Sequence, residues 1–337
     1  MFLNNGIMND KHQTNTNRLL WADALRGVLI IFVVIGHALQ YGDYENRLSW
    51  NMIYSFHMAA FFVVSGYVSF RPNPKGGIIL RRLKQLLVPF AVWTLLTGLV
   101  KGDVIDHCRT ALLRPDTSFW FLYVLFCVVL LHQVVIYLSP NRSDCKLLIY
   151  SGGGCLLLAL FMVLFDWRLL GFQFIAYYFG FYALGYCLHY YKIRLNPLVI
   201  LICGMVWLMM SLYWRMHTVP VPLQWATFVP DALLTYGYRF VTAVCASLFL
   251  MGVAPIVFKG SSRIIAFLAY CGKISLGIYV LHIFLGRWLE PSIVSLCGSN
   301  ESWLFVCADT VVKLTVSILV VGLICRSQIA SKVLLGK

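Results

Sequence analysis

Apolar runs of about twenty residues, broken by short polar turns, recur along nearly the whole chain. They cover Leu19–Tyr41, Trp50–Phe70, Leu83–Val100, Ser118–Leu138, Leu147–Phe165, Leu170–His189, Pro197–Trp214, Ala232–Phe258, Ile264–Leu289 and Trp303–Cys325. A helix rises about 1.5 Å per residue, so runs of this length span the hydrocarbon of a bilayer. Lipid cannot satisfy backbone polar groups, so each run is expected to be helical. The pattern predicts an all-α, polytopic integral membrane bundle of about ten transmembrane helices around a central cavity.

Composition agrees with this reading. Of 337 residues, 60% are hydrophobic and 12% charged, and the mean hydropathy is +0.79. The connections are too short for a separate soluble domain. The organisation expected is a polar N-terminal tail (1–18), a ten-helix domain (19–325) and a C-terminal tail (326–337). The tail 1–18 has no short apolar core with a small-residue cleavage site, so the first run reads as an uncleaved signal-anchor. Gly and Pro punctuate the turns, and Gly152, Gly153 and Gly154 offer a close helix approach inside the fifth run.

The net charge of +14 changes the picture only through its distribution. With the N-terminus inside, the outer loops hold Arg47, Lys101, Arg109, Arg114, Arg168, Arg215 and Arg287, and the runs themselves hold Arg26, Arg239, Lys273 and Lys313. The other sixteen of 27 Lys and Arg fall on the inner side. That bias places both termini in the cytoplasm and assigns the basic excess to topology and lipid headgroups rather than nucleic acid. Eleven scattered cysteines form no C-x-x-C and no metal-ligand spacing, so they read as small buried hydrophobes and no metal is expected. Neither a Walker loop nor a G-x-S-x-G elbow occurs.

Candidate chemistry lies where ionisable groups enter the apolar runs, since such groups at membrane depth usually face a cavity. Asp23, Arg26 and His37 share the first run. The eleven-residue step from Arg26 to His37 is close to three helical turns, so both leave one face, about 16 Å apart. They are expected to look into one pore. Asp23, three residues before Arg26, is placed to pair with it. The segment from Phe56 to Tyr67 carries His57, Ser65 and Tyr67. The cluster Arg81-Arg82-Leu83-Lys84 stands before Pro89 at the inner edge. Tyr279 and His282 share a face of the ninth run. Asp309 and Lys313, four apart in the last run, read as a mutually neutralising pair with no chemistry.

Taken in order, these motifs resemble the membrane-bound acyltransferase family 3, and most closely its fucose O-acetylase-like branch. The residues that carry the resemblance are Asp23-x-x-Arg26-Gly27 with His37, Phe56-His57-Met58 through Ser65-Gly66-Tyr67, the basic cluster, Trp120-Phe121-Leu122, and Ser275 through Tyr279-x-x-His282. They extend from residue 19 to about 289. The resemblance implies transfer of an acetyl or other short acyl group from cytosolic acetyl-CoA (or another acyl-CoA) to a hydroxyl, often on a cell-envelope glycan. It makes His37 the essential histidine and Arg26, Arg82 and Lys84 donor-binding positions, with Arg81 beside them. Two departures stand out. Arg82-Leu83-Lys84 replaces the frequent Arg-x-Arg, and lysine lacks the bidentate grip of a guanidinium. Ala59 replaces a common proline. With no appended esterase-like domain, an acceptor would meet the membrane part directly.

A thioester is already activated, so the chemistry needs a base for the acceptor hydroxyl and a donor for the oxyanion. Neutral imidazole suits the first at physiological pH, which points to His37. His57, Ser65 and Tyr67 are the candidate oxyanion donors, and Trp120, Tyr279 and His282 candidate cavity walls. A transporter or flippase for a polar solute or lipid-linked sugar also predicts intramembrane His and Arg.

Overall fold

The computed structural model describes residues 19–70, 77–114, 119–138, 145–167, 169–260 and 262–337. The tail 1–18 and the loop cations Arg71, Lys75, Arg142 and Arg168 lie outside the described residues, as does Ser118 at the start of the fourth predicted run. Among the described residues every regular element is helical: α1 (Leu20–Tyr41), α2 (Leu48–Tyr54), α3 (His57–Ser69), α4 (Ile78–Arg82), α5 (Val88–Lys101), α6 (Val104–Leu113), α7 (Trp120–Leu138), α8 (Cys145–Leu164), α9 (Phe172–Tyr190), α10 (Pro197–Tyr213), α11 (Asp231–Val257), α12 (Arg263–Lys273), α13 (Ser275–Cys297), α14 (Trp303–Ile324) and α15 (Gln328–Leu335), with short π and 3-10 turns between some of them. The result is an all-α polytopic membrane bundle.

Eight helical stretches are long and apolar enough to cross a membrane. The count differs from ten for physical reasons. α10 is apolar but only 17 residues long. α9 carries Gln173, five tyrosines and His189, and most of its residues are buried inside the bundle. It spends its polar groups on protein neighbours rather than lipid.

Three predicted runs are broken. The second bends at Phe56, whose φ of −139° and ψ of −30° leave the helical path. Ser55 fills the bend: its hydroxyl donates to the Met52 carbonyl (2.7 Å) and accepts the indole N–H of Trp207 (3.0 Å). The third contains a π-helical turn, Leu83–Leu87, just before Pro89. Proline has no N–H to continue the i→i−4 ladder, and a widened turn absorbs the mismatch. The ninth is two helices, α12 and α13, parted at Ile274. α12 lies against the first turns of α1 and only α13 spans.

Backbone contact through glycine holds the centre together. A Cβ at Gly27 would strike the Leu268 carbonyl, and one at Gly272 the Asp23 carbonyl, so α1 and α12 run antiparallel at backbone distance. Gly66 and Gly185 play the same reciprocal part between α3 and α9, against the carbonyls of Tyr182 and Val63. In lipid, where burial of apolar surface supplies no driving force, such close packing is a main source of helix association. Leu157 on α8, Leu201 on α10 and Leu319 on α14 are exposed, as an outer surface in lipid requires. Near the C-terminus, α15 folds back on α5: the Trp93 indole donates to the Leu334 carbonyl at 2.8 Å, and Leu335 is buried.

Candidate active site

One stripe of α1 organises the site. Arg26, Ile30, Val33 and His37 follow at i, i+4, i+7 and i+11, so they stack on a single face. A small cavity of about 110 Å³ is lined by Arg26, Ile30 and Val33 from this stripe, with Arg82, Ser65 and Tyr279 opposite. A large cavity of about 1060 Å³ is lined by Val33, His37, Gln40 and Tyr41 further along it. Val33, Met58 and Tyr279 line both cavities. The stripe from Arg26 to His37 therefore borders two adjoining cavities that share these three residues. The same-face geometry that aligns the two groups also puts Val33 between them.

Four histidines line the large cavity, and three of them, His37, His57 and His282, lie on α1, α3 and α13. The ring centroids of His37 and His282 are 5.2 Å apart. His57 and His282 are buried, and each sits over its own preceding turn. His57 Nδ1 donates to the Ile53 carbonyl at 2.7 Å, and His282 Nδ1 to the Ile278 carbonyl at 2.9 Å. A carbonyl only accepts, so these bonds fix the proton on Nδ1 and leave Nε2 as an acceptor in the neutral ring. The bend at Phe56 makes this possible for His57, because it leaves the Ile53 carbonyl at the end of α2. His37 is half-buried and is the histidine of the three on the α1 stripe.

Lys313 and Glu290 also line the large cavity. The Lys313 ammonium is 2.5 Å from Glu290 and 2.7 Å from Asp309, and both Lys313 and Asp309 are buried. The Asp309–Lys313 pair expected from the sequence is thus one side of a triad with two carboxylates and one cation.

An aromatic wall faces the histidines. Trp120 stacks on Phe174 and on Tyr178, each at 5.4 Å. Tyr177 and Tyr236 continue it, and Gln173 donates to the Tyr236 hydroxyl at 2.7 Å. Arg239 ends the row, 4.9 Å from the Tyr236 ring centre and 5.6 Å from that of Trp214.

The remaining sequence candidates separate. Ser65 and Arg82 line the small cavity, Trp120 and His282 the large one, and Tyr279 both. Asp23 is buried at the α1–α12 contact and lines neither cavity. Tyr67 lines neither as well: its ring is 4.4 Å from His189 and 5.2 Å from Trp21, and its carbonyl meets His189 Nδ1 at 2.6 Å. Arg81 and Lys84 are exposed and line neither cavity, whereas Arg82 is half-buried and donates to Gln85 Oε1 at 3.2 Å. Two residues apart on a helix, Arg82 and Lys84 leave nearly opposite sides. Among the described residues no group of three or more His, Cys, Asp or Glu side chains could hold a metal ion.

Sequence reasoning missed Glu290, Tyr54, Gln173, Tyr236 and Arg239. Glu290 falls one residue past the predicted ninth run, and its partner is on another helix, so no spacing signals it. Arg239 was visible as a cation inside the eighth run, a signal that went unused. Tyr54 lines the large cavity and donates to Gln40 Oε1 at 3.0 Å.

Comparison with known proteins bears on this arrangement. The acyltransferase 3 family, described as an acyltransferase domain, matches residues 19–322. The nodulation protein NolL of Mesorhizobium japonicum is 33% identical over 35% of this chain and 36% of its own length. NolL of Sinorhizobium fredii is 32% identical over 35% of this chain and 37% of its own length. The chain thus spans little more than a third of these curated relatives. No solved structure matches it. The matched span begins just before α1 and ends in α14, taking in both cavities, the three histidines and the charged triad, and on that extent the chain belongs to the acyltransferase 3 family.

Proposed function

We propose that the chain is a membrane O-acyltransferase that moves an acetyl or other short acyl group from cytosolic acyl-CoA to a hydroxyl of a cell-envelope or exported glycan. The observation that carries this reading is the end-to-end meeting of two unlike cavities at Val33, Met58 and Tyr279. One is narrow and bordered by Arg26 and Arg82, and the other is wide and bordered by four histidines, with Arg114 and Arg239 also on its wall.

The small cavity suits an extended chain and not a nucleotide. The nucleotide of the donor therefore stays at the cytosolic mouth, where Arg26 and Arg82 hold phosphate oxygens. Arginine makes such contacts as charge-assisted, often bidentate bonds. The arm lies along the α1 stripe and brings the thioester to the place where the two cavities meet. An acceptor in the large cavity presents its hydroxyl to His37. The imidazole takes the hydroxyl proton as the oxygen attacks the thioester carbon. The C–S bond then breaks and the proton passes to the departing thiolate, which leaves neutral imidazole. His57 and His282 present Nε2 as acceptors, so neither donates to the oxyanion while neutral. Tyr279, where the cavities meet, is the O–H donor that best fits this position.

The test is incubation of membranes with radiolabelled acetyl-CoA and an envelope glycan extract. Label recovered on glycan, released by mild base as expected for an ester, supports the reading. Solute flux into sealed vesicles without label transfer would identify a transporter instead.

A further inference from the structure

Arg239 stands in the third turn of α11 and lines the large cavity, half-buried. One of its five N–H donors is committed, to the Met216 carbonyl at 3.2 Å. Among the described residues no carboxylate lies within ion-pairing distance of it. Glu290 is held by Lys313. Asp231 is eight residues earlier on the same helix, about 12 Å along the axis. Asp166 belongs to the connection between α8 and α9. The rings of Tyr236 and Trp214 stabilise the cation in part, a contribution of modest size. A half-buried guanidinium on a water-accessible cavity, with no acid beside it, is available to an anion that enters that cavity.

The rings next to it say where such an anion would belong. Tyr178 lies 5.1 Å from Tyr177, Tyr177 lies 6.1 Å from Tyr236, and Tyr236 adjoins Arg239. Trp120, stacked on Tyr178, is at the far end of this row. Tyr177 stands edge-on to both Tyr178 and Tyr236, and buried Tyr178 is stacked on Phe62 as well as on Trp120, so the rings nearest the cation are Tyr236 and Tyr177.

Resting on the acyltransferase reading above, we propose that the acceptor is an anionic sugar, with its phosphate or carboxylate on Arg239 and its ring beside Tyr236 and Tyr177. A neutral glycan leaves four guanidinium N–H groups without an acid partner in the cavity.

The experiment uses the purified full chain in phosphatidylcholine nanodiscs, with thermal-shift titration of three sugars: methyl β-glucoside, methyl β-glucuronide and glucose 1-phosphate. The charged sugars are expected to bind at least tenfold more tightly than the glucoside. Arg239→Gln removes the difference and Arg239→Lys keeps part of it. Equal binding of charged and neutral sugars, no binding of any, or a preference that survives Arg239→Gln overturns the proposal. Displacement of glucose 1-phosphate by phosphatidylglycerol at a tenth of the lipid assigns the site to a headgroup and overturns it too. Displacement by inorganic phosphate only at a concentration at least tenfold above that of the sugar phosphate supports recognition of sugar and anion together. Acyl-transferase activity is measured separately with acetyl-CoA and glycan extract, so loss of that reading is distinguishable from loss of this one.

Discussion

His37 and His282 face one another at 5.2 Å across the large cavity, on two helices that run in the same direction. His282 has its Nδ1 proton committed to the Ile278 carbonyl, and its Nε2 is buried without a hydrogen-bond partner among the described residues. His37 is the more open of the two and stands on the stripe that leads from the small cavity. The Ile278 carbonyl locks His282 in a single tautomer, and His37 is the one proposed as the base.

His37→Ala is expected to lower kcat for acyl transfer by about 10²–10⁴, the usual cost of losing a general base. The KM for acyl-CoA should change less than threefold, because the cation contacts lie in the other cavity. Steady-state rates with labelled donor in membranes, normalised to folded protein by fluorescence size exclusion, check this. A His37→Ala protein with full activity removes the assignment.

Arg82 and Lys84 should behave differently despite their shared cluster. Arg82 borders the small cavity, while Lys84 is exposed and borders neither. A hydrogen bond to a charged group contributes about 1.5–3 kcal/mol, and 1.4 kcal/mol is tenfold in affinity. Arg82→Ala is expected to raise the KM for acyl-CoA about 10- to 100-fold, and Lys84→Ala by less than about threefold. Equal effects would show that both side chains reach the donor in the working protein.

The central triad makes a stability prediction. Lys313→Met leaves Asp309 and Glu290 without their cation, with Asp309 fully buried. Removing one partner of a buried pair typically costs about 3–5 kcal/mol. Glu290→Gln leaves the Lys313–Asp309 pair intact and should cost much less. Adding Asp309→Asn to Lys313→Met should recover part of the loss. Unfolding temperatures of the detergent-solubilised variants give the order directly.

Much of this architecture was legible in the chain, and the gaps have causes. Helix positions follow from apolar run length, because lipid leaves the backbone no other option. The breaks at Phe56 and Ile274 do not show in hydropathy, since both sit among apolar residues and arise from tertiary contacts at Ser55 and Gly272. The Arg26–His37 stripe was readable from helical period alone. Val33, which borders both cavities, was readable as a further member of the same stripe. Long-range partners were not readable: Glu290 reaches Lys313 from another helix, and Tyr67 turns to His189 across 122 positions of sequence. The motif around Ser65 drew attention to Tyr67, but only Ser65 reaches a cavity.

Glycine content alone also misleads about where helices touch, and this yields a final test. The triplet Gly152 to Gly154 is the most conspicuous small-residue cluster in the sequence. Yet a Cβ at Gly153 or Gly154 would meet nothing within 4 Å, and one at Gly152 would make ordinary contact with Ala183 at 3.8 Å. The isolated Gly185, by contrast, lies directly on the Val63 carbonyl, and Gly66 on that of Tyr182. Those obstacles are backbone atoms, which cannot swing aside, so α3 and α9 must separate to admit a methyl group. Gly185→Ala or Gly66→Ala is expected to cost about 1–3 kcal/mol through overpacking. The shift of α3 also moves Ser65 and His57, so activity should fall with stability. Gly153→Ala and Gly154→Ala replace a poor helix former at open positions and should be neutral or stabilising by up to about 1 kcal/mol. Unfolding temperatures of the four variants separate the two classes, and a destabilised Gly153→Ala protein would mean that this face of α8 packs against a further partner in the membrane.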